Sequence, residues 1–308
     1  MAYSDDRAGP SGLAAARPGT RLRALLAAGE LIVAPGVFDG ISAHLARRMG
    51  FRAAYLTGAG TAASAFGLPD IGLVTGSEMA ERAAMMAEAV GDLPLIADAD
   101  TGYGAPINVV RTVRAYEKAG VAAIQLEDQT FPKRCGHLPD KEVISQAEFL
   151  PKLAAALDTR TDALIVARTD ARAVLGLDAA IERANAYAQA GADVIFVEAP
   201  RTAAEVERIA KEVDAPLLIN LVPEGLTPDG GPEYLQNLGY AIAIRPVDLF
   251  AAAAHAMIAA LEQLGGTMAT EAGRSPQALF QLVGLDQWQA VGNAFQAPDA
   301  TGPAPQST

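Results

Sequence analysis

The chain has 308 residues, a net charge of −12 and 51% hydrophobic content, enough apolar material for one large barrel or two ordinary domains. The acidic balance excludes general affinity for nucleic acid or anionic membrane surfaces, but not an anionic substrate held by a few local cations or a metal. One cysteine, Cys135, excludes an intramolecular disulfide framework and fits a reducing compartment.

Residues 1–20 carry early acids and scattered Pro and Gly without an apolar stretch of signal-peptide length, and read as a flexible arm. Strand-length apolar runs then recur at Leu31–Val37, Ala53–Thr57, Leu93–Asp98, Ala122–Glu127, Ala163–Arg168, Val194–Glu198, Pro216–Asn220 and Tyr240–Ile244. Helical spacing fills the gaps at Ser77–Val90, Ile107–Ala119, Gln146–Leu157, Asp178–Ala190 and Thr202–Val213. Gly50, Gly120, Gly191 and Gly239 precede strands, where glycine ends a helix. Eight strand–helix units predict an α/β fold, a (β/α)₈ TIM barrel over residues 21–265, with an open doubly wound sheet as the alternative. The Ala-rich run near Phe250–Leu261 is too short and weak to span a bilayer, so the expected location is cytoplasmic. A further helix, Pro276–Val291, lies in an extension over 266–295 and holds the only tryptophan, Trp288; the Pro-, Ala- and Thr-rich residues 296–308 read as a disordered tail.

The chemistry is expected where the strands end. Strand three ends in Asp98 and Asp100, strand four in Glu127 and Asp128, strand five in Arg168 and Asp170, strand six in Glu198, strand seven in Asn220 and strand eight in Arg245. Barrel active sites form at the C-terminal ends of strands, so these groups should converge on one mouth. Asp98 and Asp100, two apart, would share a side in extended backbone, and Asp70 and Glu127 add carboxylates to a cluster that needs a cation. Asp100 before Thr101-Gly102 also reads as a turn residue. With three histidines and no zinc-type pair, hard oxygen ligands predict Mg²⁺ or Mn²⁺.

After strand four comes Pro132-Lys133-Arg134-Cys135-Gly136-His137, a loop of the kind that acts as a lid. Two cations and a histidine around one thiol should lower its pKa for proton transfer or nucleophilic attack. Gly58-Ala59-Gly60-Thr61-Ala62-Ala63 matches a loose dinucleotide fingerprint, but Pro69 and Asp70 soon break any helix it opens. Its backbone amides suit a substrate carboxylate instead.

With these residues in view, the chain resembles the isocitrate lyase/phosphoenolpyruvate mutase superfamily, and most the methylisocitrate lyase-like branch. The resemblance runs from about Arg21 to Val291 through YLTGAG from Tyr55, GLPD ending at Asp70, DADTGYG from Asp98, LEDQ around Glu127, PKRCGH from Pro132 and ARTDA from Ala167. It implies that Asp98 binds Mg²⁺ directly while Asp70, Asp100 and Glu127 hold its waters. Tyr55, Thr57, Gly58 and Ala59 would take the keto-acid end of the substrate, Arg168 a carboxylate, and Glu198 and Asn220 would complete the site. Cys135 would exchange a proton with the carbanionic carbon, supported by Lys133, Arg134 and His137. The implied activity is retro-aldol or Claisen cleavage of a small di- or tricarboxylate, with oxaloacetate hydrolysis or decarboxylation, or a phosphonate mutase reaction, as alternatives. A homotetramer with swapped C-terminal helices is also implied. The chain departs from the pattern at Leu221-Val222-Pro223-Glu224-Gly225, at Thr57 in place of serine, and at Arg245 and Asp248 flanking Pro246-Val247. Arg245 would read an additional anionic group or pair with Asp248.

Overall fold

A computed structural model of the chain describes residues 16–268 and 273–295. Eight strands, β1 Ile32–Val37, β2 Ala54–Leu56, β3 Leu95–Asp98, β4 Ala123–Glu127, β5 Leu164–Thr169, β6 Val194–Val197, β7 Leu217–Asn220 and β8 Tyr240–Arg245, close into a barrel. Every neighbouring pair is parallel, and β8 returns to β1 through Ile32↔Ile242. The open-sheet alternative is therefore excluded. α1 Pro18–Ala27 precedes the barrel, and α2 Gly40–Arg48, α3 Gly58–Phe66, α4 Gly76–Val90 and α5 Pro106–Ala119 follow in its first half. The second half carries α6 Gln146–Thr159, α7 Ala171–Val174, α8 Leu177–Gln189, α9 Ala203–Glu212, α10 Gly231–Leu238 and α11 Asp248–Gln263.

Alternation along each strand makes two apolar layers. Ile32, Ile96, Val166, Phe196, Leu218 and Ile242 fill the interior, while Leu56, Leu126, Ile165, Ile195 and Ile219 pack outward against the helices. Both sets are shielded from water, which is why the strands read as continuous apolar runs. Helix ends follow from local chemistry. Thr75–Glu78 and Ser145–Glu148 are reciprocal capping boxes, and Gly120 and Gly239 close α5 and α10 in the left-handed conformation.

Two boundaries differ from expectation. The chain is helical and packed from Pro18, ahead of residue 21, because Asp162 accepts from the Gly19 and Thr20 amides and ties α1 to the barrel floor. The expected Pro276–Val291 helix is two helices, α12 Pro276–Gln281 and α13 Leu285–Ala294, separated at Gly284 with φ 81°. Leu279 and Phe280 of α12 are fully buried over the barrel mouth, beside Phe250, Val222 and Leu138. Residues 1–15 of the expected arm and the expected tail lie outside the described residues.

Candidate active site

The inward phase of each strand determines what reaches the mouth. Continuing the interior positions two residues at a time from Tyr55, Ile96, Ala123, Val166, Phe196 and Leu218 arrives at Thr57, Asp98, Gln125 and then Glu127, Arg168, Glu198 and Asn220. Strand register sets neighbours side by side, with Asp98 opposite Gln125 and Glu127 opposite Arg168. Tyr55, Thr57, Ala59, Asp70, Asp98, Cys135, Gly136, His137, Arg168 and Asn220 line one cavity, with Pro276 and Phe280 of α12 as part of its wall.

The acids meet without sharing an extended strand. Asp100 has φ 47°, and its amide donates to Asp98 Oδ1 at 3.0 Å, so these two residues form a turn rather than a same-side pair. Gln125, a polar position in an apolar strand that escaped notice in the sequence, donates to the same oxygen at 3.2 Å and accepts from the Tyr55 hydroxyl at 3.1 Å. Asp98 Oδ1 is thus saturated, while Oδ2 takes no hydrogen bond among the described residues. Gly58, the first residue of α3, leaves that oxygen room, because a Cβ there would lie 2.6 Å from it.

These residues fit a hard divalent cation. Asp98 offers a free oxygen among other carboxylates, and Glu127 Oε1 is buried without a hydrogen-bond partner. Among the described residues no three acid, histidine or cysteine side chains enclose an ion by themselves. The free Asp98 oxygen beside other carboxylates suits a hard cation of the Mg²⁺ kind, which usually keeps several waters. Burial, offset in part by Lys133 and reinforced by Asp98 and Asp70, raises Asp100 to about 7. Burial likewise raises Glu127 well above the usual carboxylate range against the opposing pull of Arg168.

The loop after β4 is closed at its stem by the Gln129–Val143 bridge and a Thr130-to-Glu142 backbone bond. Its side chains part company with the expected thiol-activating cluster. Lys133 turns to Asp70 and to Asp100 Oδ1 at 2.8 Å. Burial opposes its charge, but Asp100 and Asp70 outweigh that and hold its pKa well above the ordinary lysine value. Arg134 does not line the cavity; its head is partly exposed, 3.9 Å from Asp140. His137 Nδ1 accepts from the Leu226 amide at 3.1 Å, and Nε2 lies 3.3 Å from Glu198 Oε1. Gly225 permits this approach, since a Cβ there would meet the imidazole at 2.9 Å. Cys135 is left in an apolar niche with Ala59, Ile71, Leu138 and Phe280. Burial first, and then the Asp70 carboxylate, push its thiol up to about 12, the reverse of the expected lowering.

Arg168 is gripped by Asp170 through Nε and Nη2 at 2.9 and 3.1 Å, with Glu127 and Glu198 at 3.3 and 3.4 Å and the Phe196 ring at 5.1 Å. Burial disfavours the Glu198 carboxylate, but Arg168 and His137 prevail and bring it to about 2. No hydrogen bond of Nη1 of Arg168 is found among the described residues. Arg245 is not brought to this site. Ile244 holds the inward phase of β8, so Arg245 points out of the barrel and pairs with Asp229 and, at 3.5 Å, Asp248.

The comparisons agree with this architecture. The profile of the phosphoenolpyruvate phosphomutase family matches residues 22–265. The chain is 48% identical over 240 residues to 2,3-dimethylmalate lyase of Eubacterium barkeri, covering 77% of this chain and 83% of that protein. It is 48% identical over 248 residues to 2-methylisocitrate lyase of Aeropyrum pernix, 80% of each chain. Among solved structures it matches oxaloacetate acetylhydrolase in complex with the inhibitor 3,3-difluorooxalacetate, with TM-score 0.78 and 41% identity over 90% of this chain and 96% of that one. The chain belongs to the phosphoenolpyruvate mutase/isocitrate lyase superfamily and is an enzyme of that superfamily.

Proposed function

We propose that the chain is a Mg²⁺-dependent carbon–carbon lyase that cleaves a 2-hydroxy acid of the alkylmalate or methylisocitrate kind by a retro-aldol route. The observation that carries this reading is that the Cys135 thiol, its pKa pushed up by its apolar surroundings, lines the same cavity as Asp98 and Arg168. The similarity to the dimethylmalate and methylisocitrate lyases supports it. The apolar wall of Val222, Ile244, Val247, Pro276 and Phe280 favours the alkylmalate end, because an alkyl group fits there at less cost than a further carboxylate.

In this reading Arg168 Nη1 and the backbone around Thr57, Gly58 and Ala59 hold the carboxylate of the nascent keto acid. Glu127, whose Oε1 has no hydrogen-bond partner among the described residues, takes the substrate hydroxyl proton. The adjacent carbon–carbon bond then breaks, its electron pair stays on the departing carbon, and the Cys135 S–H proton passes to that carbon. A thiol held protonated suits that donation better than a thiolate would. Mg²⁺ held by Asp98, with Asp70, Asp100 and Glu127 around its waters, would supply Lewis-acid polarisation of the substrate oxygen. Lys133 and His137 keep the loop shut over the reacting carbon and exclude water.

Residues 21–265 are the catalytic unit of this proposal, and residues 266–295 an extension that joins subunits of a cytoplasmic homotetramer. The exposed Met257 and Leu261 of α11, Leu264 just past its end, and the apolar groove at Leu45, Met49 and Phe51 beside α2 support an assembly. Hydrolysis of oxaloacetate is a second reading, favoured by the 41% identity to oxaloacetate acetylhydrolase.

The test is a Mg²⁺-dependent screen of dimethylmalate, citramalate, methylisocitrate, isocitrate, oxaloacetate and phosphonopyruvate with the wild type and Cys135→Ser. Cleavage of one hydroxy acid that falls by roughly 10²–10⁴-fold in the variant is the expected result. Turnover of oxaloacetate or phosphonopyruvate alone, indifferent to Cys135, would replace the lyase reading with the corresponding hydrolase or phosphonate chemistry.

A further inference from the structure

Lys141 has no part in the chemistry above, yet its ammonium is among the most enclosed cations near the site, with the side chain 2% exposed. It donates to the Gly136 carbonyl at 2.6 Å and to Asp170 Oδ1 at 2.8 Å. Asp170, itself fully buried, is the carboxylate that grips Arg168 through Nε and Nη2. Gly136 follows Cys135 in the chain and lies against the same arginine: an added Cβ would stand 2.5 Å from Arg168 Nη2 and 2.6 Å from Glu198 Cδ. One ammonium therefore ties the backbone of the loop that carries the thiol to the carboxylate that aims the arginine.

The other ties act elsewhere on the loop. Gln129–Val143 and Thr130–Glu142 close its stem, the Cys135 amide donates to the Asp70 carbonyl at 3.0 Å, and His137 meets Glu198. Above the stem, Lys141 alone among the described residues hydrogen-bonds to both the loop backbone and the Asp170 side chain. Hydrogen bonds from an ammonium to a carboxylate and a carbonyl in a dry setting are strong, and removing the donor leaves the Gly136 carbonyl without its partner and Asp170 Oδ1 with Arg168 alone. Lys141 and Gly136 both lie on the loop, so lifting it breaks the buried Lys141–Asp170 pair, and that pair biases the loop towards closure.

We propose that Lys141 is a positioning residue whose ammonium latches the loop at Gly136 to Asp170, setting Cys135 and Arg168 against one another in one closed geometry. The inference goes beyond the lyase reading and needs only the geometry of the loop, so its test does not use turnover.

Cys135 is the only cysteine in the chain, so mass-resolved labelling of the whole protein with iodoacetamide reports on that thiol alone. The thiol is half-buried beside Ala59, Ile71, Leu138 and Phe280, so lifting the loop exposes it further and the labelling rate rises with the open fraction. Lys141→Met is expected to label at least tenfold faster than the wild type, and Lys141→Arg, which restores a cationic donor, within threefold of it. Arg172→Met removes the Arg172–Glu205 pair, which has no contact with the loop, and is expected to lower Tm without faster labelling. A wild-type rate in Lys141→Met, failure of Lys141→Arg to restore the rate, or equal acceleration in Arg172→Met would overturn the proposal. Should Lys141→Met not fold, Asp170→Asn keeps the shape but weakens the ammonium contact. It carries the same expectation of faster labelling, and a wild-type rate there would equally overturn the latch.

Discussion

Gly136 rests on Arg168 so closely that a single added methyl would come within 2.5 Å of Nη2, with Glu198 Cγ and Cδ at 2.7 and 2.6 Å on the same side. Neither neighbour is free to retreat. Arg168 is held by three carboxylates and Phe196, and Glu198 is fully buried. Gly136→Ala should therefore oppose loop closure by about 1–3 kcal/mol, the usual cost of overpacking a filled site. That corresponds to roughly 5- to 150-fold in kcat/KM under the proposed mechanism, with Tm changed little because the strain is relieved by opening the loop. Steady-state kinetics alongside thermal melting checks this, and wild-type kcat/KM would show that the loop does not close on Arg168.

Arg245 provides the opposite case. It points out of the barrel to Asp229 and Asp248, and its side chain is 33% exposed. Arg245→Met should leave kcat and KM within about twofold of wild type and cost no more than ~1 kcal/mol of stability, as partly exposed ion pairs usually do. A large rise in KM for a charged substrate would mean that the arginine reaches the site in solution.

Glu117, at the end of α5, receives the backbone amides of Thr161, Asp162 and Ala163 and the Thr161 hydroxyl. Burial works to raise its pKa, but these hydrogen bonds outweigh it and hold the carboxyl below its ordinary value. Because the folded pKa is depressed, the stabilisation is full above the unfolded value of about 4.3 and is lost as pH falls through the folded pKa. Glu117→Gln should be less stable than wild type by about 1 kcal/mol at pH 7, and the gap should shrink below about pH 4.3. Urea melts of both proteins across that range measure the difference, and a gap that widens in acid contradicts the assignment.

The exposed stripe of α11 sets a further expectation. Met257 and Leu261, four apart on the helix, are 57% and 58% exposed, and Leu264, just past its end, is 84% exposed. Leu261→Glu should convert the proposed homotetramer to smaller species in light-scattering chromatography. An unchanged mass in the variant would place the subunit contacts on another face.

Much of this was readable from the chain because short apolar strands recur with helical segments between them. That recurrence determined the barrel and the C-terminal strand ends as the place for chemistry, and the two-residue alternation of strand geometry set the inward phase that delivers Asp98, Glu127, Arg168, Glu198 and Asn220 to one mouth. Two further signals lie in the strand sequences. Gln125 is in phase with Ala123 and Glu127 on the inward face of β4, and Arg245 is one step out of phase with Ile242 and Ile244. The loop had no such period, and only the tertiary structure decided it. Lys133, Arg134 and His137 flank the thiol in sequence, but they found stronger partners or solvent elsewhere: carboxylates for the lysine, Glu198 and the Leu226 amide for the histidine. Sequence proximity to Cys135 predicted a depressed pKa, whereas burial in an apolar niche produced a raised one. The roles of Lys141 and Phe280 were equally closed to the sequence, because each depends on a segment distant in the chain arriving at the mouth: Asp170 for the lysine, the barrel itself for α12. Local pattern determines which way a strand residue faces, while the partner of a loop side chain is decided by what the completed fold brings within a few ångströms of it.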